Sequence, residues 1–406
     1  MRKISATVLL VSIAVSVTVM FLPDKWVSSV PEVISCVLAA VWTLYFSSGK
    51  EKPRLSFTIL AVGLVVGLGA IQILFGTTVY RWATWLSVLY WLGNLSVLFS
   101  AEQALSDEGV RELFFRRLVL FGFVVAVVSS LQALTTEAVV YWTFPTRYAG
   151  WIVMGPFVYH NQYAAFVELI LPIALYISFT DQAWRWLFLV AAATLYASVF
   201  IAGSRAGLIL TTAELVVVPI VTIRSRKIPL AGFVGVGVLF AGMVILLAFS
   251  AGPDYLTTKF QIKDPYSIRR EFLYSSLSMF RSRPWTGVGL GNWATAYPAY
   301  ALFDDGSYAN QAHNDWIQWP VEGGIPLLAI MSAVAIGKFP RAIRSGWGCG
   351  VAAVFLHCFV DYPLQRPAVA VVFFSILAAV SAPLPKNRAV RRPAVRDSEF
   401  SSLDRN

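Results

Sequence analysis

Residues 55–75 read LSFTILAVGLVVGLGAIQILF, and this stretch decides the fold. It carries no charge, and Gln72 is its one amide. A helix needs about 20 apolar residues to cross the hydrocarbon core of a bilayer, and this run supplies them. Eleven further apolar runs flank it: 4–22, 30–46, 82–99, 113–134, 159–179, 184–202, 207–223, 229–250, 321–337, 347–361 and 367–381. The last two fall short of the lower limit of about 17 residues. Composition agrees, with 57% hydrophobic residues, 13% charged residues and 14 tryptophans, against about 25% charged in soluble domains. Mean hydropathy is +0.67. The expected fold is all-α: a polytopic membrane protein of about twelve transmembrane helices, with one long outer loop that contains an amphipathic helix.

The first run follows Met1-Arg2-Lys3 and ends Val19-Met20-Phe21-Leu22-Pro23. It has no small-x-small cleavage site, so it reads as a retained first helix. Cys36, Cys349 and Cys358 all lie in apolar runs and read as small core residues rather than disulfides or metal ligands. The net charge of +10 suggests nucleic acid until its distribution is examined. With the amino terminus inside, 21 of the 32 Lys and Arg residues fall on the same side, including Lys50, Lys52, Arg54, Arg111, Arg116, Arg117, Arg224, Lys338, Arg341 and the tail. That is the positive-inside pattern. It puts both termini in the cytoplasm and needs no nucleic-acid partner.

Residues 1–381 read as one membrane domain and 382–406 as a disordered cytoplasmic tail rich in Pro, Arg and Ser. Three connections are long: 100–112 inside, and 135–158 and 251–320 outside. In the last, Asp264-Pro265 reads as a helix start. Ile268, Phe272, Leu273, Leu277 and Phe280 then recur with helical spacing until Pro284. Such a helix lies on the membrane surface or covers the outer face of the bundle, with Arg269, Arg270, Arg281 and Arg283 on its polar side.

Of three histidines, His313 alone lies in the long insertion, within Gln311-Ala312-His313-Asn314-Asp315. Histidine titrates near neutrality and is a candidate proton acceptor. Gly287-Val288-Gly289-Leu290-Gly291-Asn292-Trp293 reads either as a tight turn that only glycine fits or as a row of backbone N–H groups facing an anion. Arg205, between two apolar runs, is an interfacial arginine or a phosphate-binding fork. Glu168 and Glu214 sit inside apolar runs, where a carboxylate is functional or held by a buried hydrogen bond. His160 opens the sixth run, and His357 and Asp361 close the eleventh. Apart from the residues in apolar interiors, all of these fall on the same side of the membrane as His313.

These motifs together resemble the bacterial O-antigen ligase/polymerase family. Gly203-Ser204-Arg205-Ala206-Gly207 is similar to its Ser-Arg-Gly element. Arg270 through Tyr274, Pro284 and the glycine segment 287–293 resemble its arginine-to-glycine stretch. His313-Asn314 with Glu322-Gly323-Gly324-Ile325-Pro326 resembles its His-Asn…Glu-x-Gly-Ile element. The resemblance covers roughly 200–330 and extends loosely to 156–175 and to His357–Pro367. Tyr274 stands where tryptophan is usual, Ala206 where glycine often follows the arginine, and Pro320-Val321 is expected to interrupt the helix after the histidine. Spacing favours Arg270 over Arg269 as the family arginine.

The resemblance implies a glycosyltransferase of the bacterial inner membrane with its active site on the periplasmic face. Such an enzyme moves a glycan from undecaprenyl diphosphate to an acceptor hydroxyl, with no metal, nucleotide sugar or other cofactor. His313 is the expected base, an unperturbed histidine having a pKa near 6.5; a protonated diphosphate ligand is the other role open to it. Arg205, Arg270 and Arg269 are the expected diphosphate ligands, with His160, Glu168, Arg281 and Asp361 as accessory residues. The expected partners are the lipid-linked donor, a glycan or lipid A core acceptor, and the bilayer. A protein Ser/Thr acceptor is an alternative. A transporter is a rival of another class, but its pseudo-symmetric halves are not visible in the sequence.

Overall fold

In hydrocarbon every backbone N–H and C=O must be satisfied within its own segment, so apolar runs of this length become helices. The computed structural model describes residues 1–22, 25–146, 153–226, 267–303 and 308–382, together with residues 237, 240, 242 and 306. Eight helices follow one another: α1 Arg2–Val19, α2 Lys25–Ser47, α3 Phe57–Leu74, α4 Arg81–Ala104, α5 Glu108–Thr135, α6 His160–Thr180, α7 Arg185–Ala202 and α8 Arg205–Arg226. Further along the chain come α9 Ser267–Ser282, α10 Trp293–Ala296, α11 Asp315–Ser345, α12 Cys349–His357 and α13 Pro367–Ser381. Val139–Val140 pairs antiparallel with Phe144–Pro145 in the connection after α5. Among the described residues, nine helices, α1–α8 and α11, are long and apolar enough to cross a membrane. The protein is all-α and polytopic. The apolar run 229–250 apart from residues 237, 240 and 242, the helix start at Asp264-Pro265 and the tail from 383 lie outside the described residues.

Helix α6 is the axis of the bundle. Its residues from Asn161 to Phe179 are buried with the one exception of Tyr176, as a helix that is apolar on all faces requires. Helices α1–α4 instead present Ile4, Leu44, Leu64, Leu74 and Trp82 outward, a surface suited to lipid. Leu9, Ile13 and Val17 of α1 join the core, and Cys349 and Cys358 are free, buried side chains.

Three expectations are revised. Runs 347–361 and 367–381 hold the short helices α12 and α13, nine and 15 residues long. Residues 349–355 and 368–381 are buried in protein, so neither helix has to match the bilayer thickness. The connection expected at 100–112 shrinks to 105–107. Helix α4 runs on to Ala104, and Gln103 braces the α2–α3 connection by accepting from the Arg54 N–H (2.9 Å) and donating to the Arg54 carbonyl (2.8 Å). At the start of α5, Asp107 caps the helix by accepting from the Val110 N–H. Third, α11 continues through Pro320; its break is at Gly324, where φ is 65° and ψ is −166°.

Polar contacts separate the two ends of the bundle. One end carries the Arg2–Glu51 (2.8 Å) and Arg116–Asp181 (2.9 Å) ion pairs and the bond from Arg117 to Thr7. At the other end the α3–α4 connection meets the glycine segment: the Val79 N–H donates to the Val288 carbonyl and Arg283 donates to the Thr77 carbonyl.

Candidate active site

The second end also gathers the chemically competent residues, from five separate parts of the chain. Asp361, in the connection between α12 and α13, is their hub and is 3% exposed. Its Oδ1 accepts from the Tyr362 N–H (2.9 Å) and lies 3.5 Å from His313 Nδ1. Its Oδ2 accepts from Asn161 Nδ2 and lies 3.6 Å from the Arg269 guanidinium. Burial alone raises the pKa of a carboxyl, but here His313 and Arg269 outweigh it and hold Asp361 well below the usual carboxylate range.

Asn161, on the first turn of α6, ties the hub to α8. Its Nδ2 also donates to Tyr159 Oη (3.0 Å), and its Oδ1 accepts from Ser204 Oγ (2.7 Å). Ser204 in turn accepts from the Gly207 N–H (3.2 Å), which caps α8. Arg205, the first residue of α8, is thereby fixed two hydrogen bonds from Asp361.

His313 has φ of 51°, a left-handed conformation in which histidine is one of the few side chains enriched. Asn314 follows as the cap of α11, accepting from the Ile317 N–H (3.1 Å). The imidazole is stacked on Phe272 of α9 (centroids 5.9 Å, 12°) and meets the Tyr362 ring edge-on at 4.7 Å. Behind Tyr362 stands Arg366, which donates to its phenol oxygen (2.8 Å) and lies 4.8 Å from the ring centroid. At 3.5 Å the His313–Asp361 contact is longer than a closed hydrogen bond, as catalytic hydrogen bonds often are before substrate binds. A carboxylate at Nδ1 favours the tautomer with its proton there, leaving Nε2 as a proton acceptor.

The arginines divide. Arg269 turns inward, donating to the Val360 carbonyl (2.9 Å) and to Tyr159 Oη (3.1 Å) beside Asp361. Arg270 follows on the exposed face of α9. Arg281 is exposed twelve residues further along the same helix, roughly 18 Å from Arg269, and is not brought to the hub. His160 opens α6 half-buried, its ring 4.9 Å from that of Tyr159. Glu168 lies two turns deeper, where its Oε1 meets His357 Nδ1 at 2.7 Å, both side chains fully buried. It belongs to a buried pair beneath the site.

Residues 187–332 match the O-antigen ligase family. This stretch is an O-antigen ligase domain. Comparison with curated proteins finds no match. The ligase domain takes in α7, α8, α9, the glycine segment, His313 and the first half of α11, whereas Tyr159, Asn161, Asp361 and Tyr362 lie outside it. The chain is therefore a polytopic membrane protein that carries a stretch similar to the O-antigen ligase family.

Within the ligase domain, the glycine segment is a turn and not an anion cradle. The N–H groups of Gly287, Val288, Gly289 and Asn292 donate to the carbonyls of Arg283, Val321, Glu322 and Gly289. That of Leu290 donates to Gln72 Oε1 (3.0 Å), and those of Gly291 and Trp293 to the Glu322 carboxylate (2.8 and 3.4 Å). None remains for a ligand. The Ile325 N–H donates to the Pro284 carbonyl and Pro326 has no N–H to give, which leaves the Val321 and Glu322 carbonyls to receive this turn. At Gly289 (φ 106°) a Cβ would run into Thr78, so the segment needs glycine for close approach.

Helix α9 packs over the same end of the bundle as Asp361. Phe272 and Met279 are its buried apolar side chains, packed in a cluster with Trp293 and Val321, while Ile268 and Leu273 are 41% and 38% exposed. Tyr159, Asn161, Ser204, Tyr362 and Arg366 join the site although residue type alone did not single them out. The one sequence signal for them is their place in the short polar stretches around His160, Arg205 and Asp361.

Proposed function

We propose that the chain is a glycosyltransferase of the bacterial inner membrane. It moves a glycan from undecaprenyl diphosphate to an acceptor hydroxyl on the periplasmic face, with both termini in the cytoplasm. The observation that carries this reading is the His313–Asp361 pair set beside Arg269, with His313 and Arg269 inside the stretch that matches the O-antigen ligase family. The basic residues Arg2, Arg116 and Arg117 at the opposite end of the bundle support the orientation.

In the reaction, His313 Nε2 takes the proton of the acceptor hydroxyl as its oxygen bonds to the anomeric carbon. The bond from that carbon to the diphosphate oxygen breaks, its electron pair leaves on undecaprenyl diphosphate, and the anomeric configuration inverts. Asp361 orients the imidazole and balances the charge it gains. Arg205 and Arg270 bind the diphosphate, whose negative charge grows as the bond breaks. Arg269, engaged with Asp361, Val360 and Tyr159, is the positioning residue that docks α9 on the hub. A lipid A core or a growing polysaccharide is the acceptor; protein Ser/Thr is the alternative.

Two results test this reading in purified protein supplied with lipid-linked glycan. Arg205→Ala and Arg270→Ala should each weaken donor binding as well as turnover, because the diphosphate is charged before reaction begins. Lysine at either position should restore only part of the activity, since a point charge does not reproduce the guanidinium fork. Unchanged donor binding in both alanine variants would remove the arginines from the donor site. Transfer should also survive EDTA. Loss of transfer that Mg²⁺ or Mn²⁺ restores would show that arginines are not the sole charge neutralisers.

A further inference from the structure

A cavity of about 230 Å³ opens on the side of α9 beside the His313 stack. Phe272, Tyr297, Phe303 and Tyr308 line it, with Pro298 and the Glu271 carboxylate. One of its walls is Phe272, the ring that stacks on His313. Its contents therefore lie next to the ring that supports the proposed base. We infer that this cavity is a sugar-binding subsite, holding one pyranose ring of the acceptor glycan; the inference rests on the transferase reading above.

Three features select that ligand. First, among the described residues that line the cavity none is Lys or Arg, so they offer a diphosphate no counter-charge. Second, Glu271 is 4% exposed and its carboxylate is not saturated. Ser275 Oγ (2.8 Å) and the Leu302 N–H (3.1 Å) donate to Oε1, and Tyr297 Oη (2.6 Å) donates to Oε2. A carboxylate has about four acceptor positions, so one on Oε2 is left for a hydroxyl. An acyl chain would leave that position dry and unpaired, whereas a sugar fills it. Third, the aromatic faces suit the C–H faces of a pyranose: Phe303 and Tyr308 are exposed (55% and 83%), an unfavourable state for large rings that a ligand covers. The volume lies below the roughly 300–1,000 Å³ of pockets for larger ligands. It admits one ring, not an oligosaccharide.

The test uses the full-length protein in nanodiscs without donor. Saturation-transfer NMR is recorded with methyl glycosides of glucose, galactose, N-acetylglucosamine and a heptose as probes, and with hexanol as the apolar control. At least one glycoside should receive saturation at its ring protons, and Tyr308→Ala and Phe303→Ala should each weaken that binding about three- to tenfold. Both side chains are exposed, so the variants should fold. Saturation of hexanol alone, or glycoside binding that neither aromatic variant changes, overturns the assignment. In the transfer assay, Tyr308→Ala should raise the acceptor KM by the same factor and leave kcat in place. Transfer with an unchanged acceptor KM overturns this subsite and leaves the transferase reading standing. Glycoside binding lost in Tyr308→Ala, in a protein that transfers nothing, keeps the sugar site and removes the transferase.

Discussion

Replacing His313 is expected to lower glycan transfer by about 10²–10⁴-fold, the usual loss when a general base is removed, while the protein still inserts and still binds lipid-linked donor. His313→Asn is the better variant, because the position has φ of 51° and asparagine tolerates that conformation whereas alanine is strained there. His313→Ala should lose the same activity and some stability as well. The two roles open to His313 part here: a base lost leaves donor binding intact, while a cationic diphosphate ligand lost weakens it along with turnover. Near-normal transfer by both variants would remove His313 from the chemistry and turn attention to His160, which opens α6 beside Tyr159.

Asp361→Asn should be the next most damaging change, because it affects both stability and rate. It removes the charge that Arg269 faces at 3.6 Å and His313 at 3.5 Å. Leaving a buried partner unpaired costs about 3 kcal/mol, the low end for a buried pair, because the Arg269 side chain keeps 26% of its surface in water. The double variant with Arg269→Met should lose less stability than the two single changes summed, which measures the coupling. The folded-state pKa of Asp361 is depressed. Its contribution is therefore present in full above the unfolded carboxylate value of about 3.9 and is lost as pH falls through the lower, folded one. From about pH 5 to pH 8 the melting-temperature gap between wild type and Asp361→Asn should stay constant, and it should close only in strong acid. A gap that closes between pH 7 and 5 would assign that stability to another group.

The bundle was legible because lipid imposes one rule on every run: residues 55–75 can be little other than a spanning helix. The rule weakens where a segment is buried in protein, so residues 347–381 gave short helices instead of spans. Site residues were legible one at a time, and their partners were not. Glu168 and His357 stood out separately; that they form a pair depends on how α6 packs against α12, 189 residues later. Arg269 and Arg270 differ by about 100° around a helix axis. Which of them faces inward is decided by Asp361, Val360 and Tyr159, none of which local spacing can weigh. The glycine segment invited two readings because exposed N–H groups and N–H groups bonded to Glu322 and Gln72 look alike in sequence. Pro320 misled for a related reason: a proline in a helix is tolerated when its neighbours absorb it, and the break instead fell at Gly324, four residues on, where the turn docks.

The central claim is that the site around His313 transfers a glycan from a lipid diphosphate to a hydroxyl. The most direct measurement reconstitutes purified protein in liposomes with undecaprenyl-diphosphate-linked glycan and a glycan or lipid A core acceptor, and follows both products. The account predicts glycan bonded to the acceptor with inverted anomeric configuration, and one undecaprenyl diphosphate released per transfer. Passage of solute or lipid-linked glycan across the bilayer with the donor linkage intact would contradict it.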